Sequence, residues 1–370
     1  MAESSIGFQS SLRCDAQTTN NSVRQSSQSS RKITVSPSYS SPSTTGNGVP
    51  LRTCDWTRSV VDELGLRCVC KQPSDIVTEH MSAALTYLLP HEINDLDKLT
   101  DILGNLNNLD DESLCEVDFK SLKYFPPHEA ELRKEVKFKE IDISTYSIFL
   151  KRFGLGLWYA LKESQPVISE AKYQYLYEQF LQMFGVLVMA QPVVNTESTK
   201  IFRKKVSSRA DIVCLSQKDD VRCSLAVCEV KKECCSEDID VGPTAPKLRR
   251  TDNTSEDLPV VKENTSLPDG LPAQHVEQLL TYLPKSVCKE ALLGMTMDKT
   301  SVTFTRLFVK EDTMTKIRTS SRDSFRLKEE ERPILYYSKP YNYLLKKDRK
   351  EIVKALLTLT ILEHRRVKKT

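Results

Sequence analysis

Two short apolar runs, Ile212–Leu215 and Leu225–Val230, constrain this chain more than any other feature. They are rich in β-branched residues, and the polar stretch Ser216–Asp220 between them is of hairpin length. That pattern predicts two adjacent antiparallel strands. Asp211 opens the first, and Glu229 and Lys231 close the second. Side chains two apart on a strand share a face, so Glu229 and Lys231 point one way and Cys228 and Val230 the other. A charge on a core strand needs a partner, and Asp211 on the neighbouring strand is close enough in sequence order to meet Glu229.

An Asp followed on the next strand by Glu-x-Lys resembles the PD-(D/E)XK nuclease superfamily. In this chain it reads Ala210-Asp211 and Glu229-Val230-Lys231, without the Pro that gives the family its name. Downstream, Gln274 to Tyr282 has helical spacing, with Val276, Leu279, Leu280 and Leu283 on one side. Gln278 and Tyr282, four apart, are neighbours on one face. Gln-x-x-x-Tyr on the helix after Glu-x-Lys is similar to the superfamily's exonuclease-like branch. The resemblance spans residues 140–370 and implies a restriction-endonuclease-like α/β fold, a mixed sheet flanked by helices.

What the resemblance implies for chemistry is metal-dependent phosphodiester hydrolysis of nucleic acid, with DNA the first expectation and RNA the second. Asp211 and Glu229 are the expected ligands of a Mg²⁺ or Mn²⁺ ion, a hard cation that prefers carboxylate oxygens and keeps several waters. Lys231 is expected to orient or deprotonate the attacking water, or to stabilise the phosphoryl oxygens. Gln278 and Tyr282 are expected to position the site and its substrate. A helix before the first strand often adds a Glu, and Glu170 is the expected third ligand, with Glu178 the other candidate on the same helix. The alternative is a catalytically inactive nuclease-fold protein that binds nucleic acid or protein.

The plain structural explanations run alongside these. Glu-x-Lys occurs on many half-exposed strands, where it makes a surface pair of little energetic weight. Tyr282 on an amphipathic helix also suits a core position, as do Tyr173 and Tyr177 at helical spacing between Glu170 and Phe184. Arg203, Lys204, Lys205 and Arg209 lead into Asp211 and suit either phosphate contacts or a charged edge strand.

The remaining segments set the expected domains. Residues 1–50 are a Ser/Thr-rich tail, too polar to offset their ordering entropy, and are expected to be disordered. Residues 51–139 read as a helical region of unknown role that could take a protein partner. Residues 233–270, polar and with Pro243, Pro246, Pro259 and Pro268, read as a flexible insertion in the nuclease-like domain, and Glu311–Arg332 as a charged linker. Net charge is only +3 with 28% charged residues, so any nucleic-acid surface must be local. The 11 cysteines lack metal-site spacing and suit free thiols in a reducing compartment. With no transmembrane run of about eighteen apolar residues and no secretory signal, the expectation is an intracellular protein of nucleus or cytoplasm, with no membrane partner.

Overall fold

A computed structural model describes residues 56–104, 129–162, 169–217, 223–231, 263–264, 266–268 and 270–369. The expected disordered tail, and most of the expected insertion at 233–270, lie outside these residues. The elements in chain order are α1 (Arg58–Glu63), β1 (Arg67–Cys70), α2 (Pro73–Ala83), α3 (Pro90–Gly104), α4 (Glu129–Glu135), α5 (Ile143–Lys162) and α6 (Glu170–Met183). The strands β2 (Val188–Ala190), β3 (Glu197–Ile201), β4 (Lys204–Ser208), β5 (Ile212–Leu215), β6 (Ser224–Val230) and β7 (Glu263–Asn264) follow. The chain continues as α7 (Ala273–Tyr282), β8 (Ala291–Asp298), β9 (Ser301–Phe308), α8 (Glu311–Thr319), β10 (Ile334–Tyr337), β11 (Tyr341–Asn342) and α9 (Lys346–Lys369).

The protein is α/β. One mixed sheet runs in the order β2-β5-β6-β8-β9-β10-β1-β7, with β11 added on β9. As expected, β5 and β6 are antiparallel, with Ile212 against Cys228 and Val213 against Val227. Strand β6 then pairs in parallel with β8, and α7 makes the crossover between them. A parallel neighbour needs such a crossover, and the strand it joins is covered on both faces. All seven residues of β6 are accordingly buried.

Alternation along β6 divides two apolar layers. Ala226, Cys228 and Val230 face the layer built with α2, α3, α5, α6 and α9, where Tyr177, Phe180, Phe184 and Leu356 pack. Val227 faces the layer built with α1, α7, α8 and the β3–β4 hairpin, where Val276, Leu279, Ile317 and Phe202 pack. Burying each such aliphatic side chain contributes about 1.5–3 kcal/mol, so α7 is pinned chiefly by Val276, Leu279 and Leu280. The Tyr173–Phe184 stripe is core, as its spacing predicts: the Tyr177, Phe180 and Tyr343 rings stack with centroids 5.2–6.4 Å apart.

Helix α6 ends at Gly185, whose φ of +81° lets Val186 N–H reach back to Leu181 O at 3.3 Å and satisfies the last carbonyls. That turn sends the chain into β2, which returns antiparallel to β5 and stops beside Asp211, where Gln191 N–H donates to Asp211 O at 2.8 Å.

Two expectations are corrected here. Residues 51–139 are not purely helical: among the described ones, Arg67–Cys70 forms β1, which pairs in parallel with β10 and so joins the same sheet. The stretch expected to be a charged linker, Glu311–Arg332, holds α8, whose Met314 and Ile317 are buried between charged turns. Among the described residues, no helix is long and apolar enough to cross a membrane.

Candidate metal-carboxylate site

Asp211 immediately precedes β5 and Glu229 is the penultimate residue of β6. Since Ile212 and Cys228 are paired, the two acids are neighbours across the strands. They are 8% and 7% exposed. Both bear on the Cys228 thiol, whose pKa is raised well above its ordinary value, first by burial, then by Cys214, and then by the two carboxylates.

Each carboxylate is held at both oxygens. Asp211 Oδ1 accepts from Gln191 Nε2 at 2.9 Å, and Oδ2 accepts from the backbone N–H of Val230 at 2.8 Å. Glu229 Oε1 accepts from Gln274 and Oε2 from Gln278. Glu229 shares the parity of Val227, which is why it meets α7. Gln274, Gln278 and Tyr282 lie on successive turns of one face of that helix. At its end the Tyr282 hydroxyl donates to Asn195 O at 3.1 Å and accepts from Ala210 N–H at 3.2 Å. A single helix face therefore grips the last polar residue of β6 and the backbone entering β5.

A close approach locks α7 onto the sheet. His275 Nε2 and Thr305 Oγ1 are 2.8 Å apart, and they meet over Gly294 of β8. A Cβ there would lie 2.5 Å from both atoms, so only glycine allows the contact. Burial lowers the His275 imidazole to about 3, with Gln278 pulling weakly the other way, and keeps it neutral.

Four of the sequence-predicted residues, Asp211, Glu229, Gln278 and Tyr282, thus lie together. Tyr282 is 2% exposed, and its hydroxyl holds backbone at Ala210 and Asn195. Lys231 follows β6, anchored by its N–H to Met297 O at 2.9 Å, and lines a cavity of about 410 Å³.

The upstream glutamates are placed differently. Glu170 starts α6, on the opposite layer from α7; Gln174, one turn later on the same face, donates to Asp211 O at 3.3 Å. Glu178 is a turn further on, and burial raises its pKa. Among the described residues no three His, Cys, Asp or Glu side chains form a group able to hold a metal.

Sequence reasoning missed Gln191, Gln274, His275 and Gly294. Gln274 had a usable signal, since it is Gln278 moved back one helical turn. The basic residues before Asp211 are partly structural: Arg209 Nε donates to Val194 O at 3.0 Å, and Arg203 Nε to Thr319 O at 2.6 Å, while Lys204 and Lys205 are exposed. The C-terminal Arg365 and Arg366 are ion-paired, with Glu92 and Glu140 and with Glu363. No protein-family model, no curated protein and no solved structure matches this chain.

Proposed function

We propose that the protein hydrolyses phosphodiester bonds of nucleic acid, DNA before RNA, at a PD-(D/E)XK-type site. The observation that carries this is the meeting of Asp211, Glu229 and Gln278 in one buried polar cluster at the sheet end, with Lys231 two residues beyond Glu229 on the same side. The chain order around it is α6, β2, the β3–β4 hairpin, β5 after Asp211, β6 with Glu229, β7, α7 with Gln278 and Tyr282, then β8, and the resemblance is read on that order.

Two acids side across neighbouring strands repel when both are ionised, and a shared divalent cation offsets that repulsion. Asp211 and Glu229 would hold a Mg²⁺ or Mn²⁺ ion, which when bound lowers the pKa of a water and neutralises phosphoryl charge. Gln274 and Gln278 fix the Glu229 carboxylate, and Gln191 fixes that of Asp211, so neither acid must reorganise during the reaction. Lys231 donates to the attacking water or to the phosphoryl oxygens. The six described cysteines are free thiols, which suits an intracellular setting, nucleus or cytoplasm, where nucleic acid is present.

A second function is favoured by one observation. All four carboxylate oxygens already accept hydrogen bonds, as they would in a catalytically inactive nuclease-fold protein that binds nucleic acid or protein. Incubation of the protein with end-labelled DNA and RNA in Mg²⁺ or Mn²⁺, beside the D211N, E229Q and K231A variants, separates the two. Hydrolysis requires cleavage by the wild type that chelation and each substitution abolish. A folded wild type that leaves every strand intact favours the binding module.

A further inference from the structure

The cavity lined by Lys231 runs across the sheet, and neither Asp211 nor Glu229 is among its lining residues. Thr296, paired with Glu229 in the β6–β8 register, lies on its floor, and Thr303, paired with Thr296, continues that floor onto β9. One hydroxyl-bearing row therefore begins beside Glu229 and passes under the cavity. Tyr337 at the end of β10, with Leu271 and Pro340, supplies an apolar wall. Three charged residues line it, the cations Lys231 and Lys339 and the acid Asp298, so its charge balance is positive by one.

This combination has a ligand class. A planar aromatic wall suits a base, hydroxyls suit sugar and base edges, and ammonium groups suit phosphate. A volume of about 410 Å³ is at the lower end for small-ligand pockets and excludes a duplex, whose major groove alone is about 12 Å wide. We propose that the cavity holds one nucleotide of a single nucleic-acid strand, with its base against Tyr337 and a phosphate between Lys231 and Lys339. The proposal rests on the nucleic-acid function above and narrows it to single strands or strand ends.

Cys70 lines the same cavity and is exposed, whereas Cys68, Cys214, Cys228 and Cys288 are buried. Its alkylation rate, resolved by mass spectrometry of the full-length protein, reports occupancy without turnover. In metal-free buffer, an oligothymidine single strand at roughly ten times its Kd should slow Cys70 labelling about tenfold. A blunt duplex at the same concentration should not. K339Q and T303V should each shift the protecting concentration upward while the far-ultraviolet spectrum stays unchanged. Unslowed labelling at saturating single strand, or equal protection by duplex, overturns the proposal. The two ideas fail separately: D211N retains protection whether or not the wild type cleaves, and a protein that cleaves with Cys70 unprotected loses only the pocket.

Discussion

Gln278 donates its side-chain amide to Glu229 Oε2 from the centre of a helix in which every residue from His275 to Tyr282 is buried. A fully buried amide is costly to place and would not sit there for packing alone. Its partner is one of two acids at the junction of β5 and β6, and the helix carrying it is clamped to the sheet one residue away from the Gln274–Glu229 bond, at His275.

Replacing Gln278 by Ala removes one of the two amides on Glu229 and leaves a void in a buried helix. The expected result is a loss of about 1–3 kcal/mol, read as a lowered urea midpoint with an unchanged slope. Leu at the same position fills the void yet still strips the donor, so Q278L should also weaken activity. An unaltered midpoint in Q278A would show that the bond contributes nothing to the fold.

D211N tests the other carboxylate. Both Asp211 oxygens accept from donors, Gln191 Nε2 and Val230 N–H, and an Asn offers only one acceptor. One donor must then face an NH₂ group, for an expected loss of about 1–3 kcal/mol in metal-free buffer. Urea unfolding with chelator checks it; a variant at least as stable as wild type contradicts these contacts.

Gly294→Ala should loosen α7 without touching either acid. The added Cβ meets His275 Nε2 and Thr305 Oγ1, so the helix must shift or the bond must break. Overpacking of this kind costs about 1–3 kcal/mol. Cleavage should fall along with stability, because Gln274 and Gln278 travel with His275. Full activity in a destabilised G294A would separate the helix from the site.

Acid sensitivity follows from the two buried imidazoles. Burial lowers both His80 and His275 to about 3, from an ordinary value of 6.5, with Arg306 and Arg366 adding to the effect at His80. The unfolded chain therefore binds protons first. Stability from each group is fully present above about pH 6.5 and is lost as pH falls from there toward 3, at up to about 1.4 kcal/mol per pH unit for each histidine. Unfolding midpoints at pH 7 and pH 5 should differ accordingly, and H80L, which removes a ring whose nitrogens have no hydrogen-bond partner among the described residues, should shrink the difference. Equal midpoints in wild type contradict the buried neutral imidazoles.

The core of this arrangement was legible because it rests on short-range periodicity. Period two put Glu229 on the same face as Val227, and period 3.6 put Gln278 beside Tyr282; both facts survive folding because β6 and α7 are regular and buried. What was hidden depends on distant pairing. Four residues, Arg67–Cys70, carry too little alternation to announce a strand, and their partner β10 comes near the other end of the chain. Helix α8 buries only Thr313, Met314 and Ile317, a stripe too thin to stand out among its charges. The His275–Gly294–Thr305 contact joins three elements and has no local signature at all. That α6, which carries Glu170, packs on the layer opposite α7 was not legible from helix position alone.

The most direct test is calorimetric titration of Mn²⁺ into the metal-free wild type, D211N and E229Q. Asp211 and Glu229 sharing a cation predicts one binding event per wild-type chain, weakened at least about tenfold in each variant, a difference of about 1.4 kcal/mol. Equal Mn²⁺ binding by all three folded proteins, or no binding by wild type, would contradict a metal held between these two carboxylates.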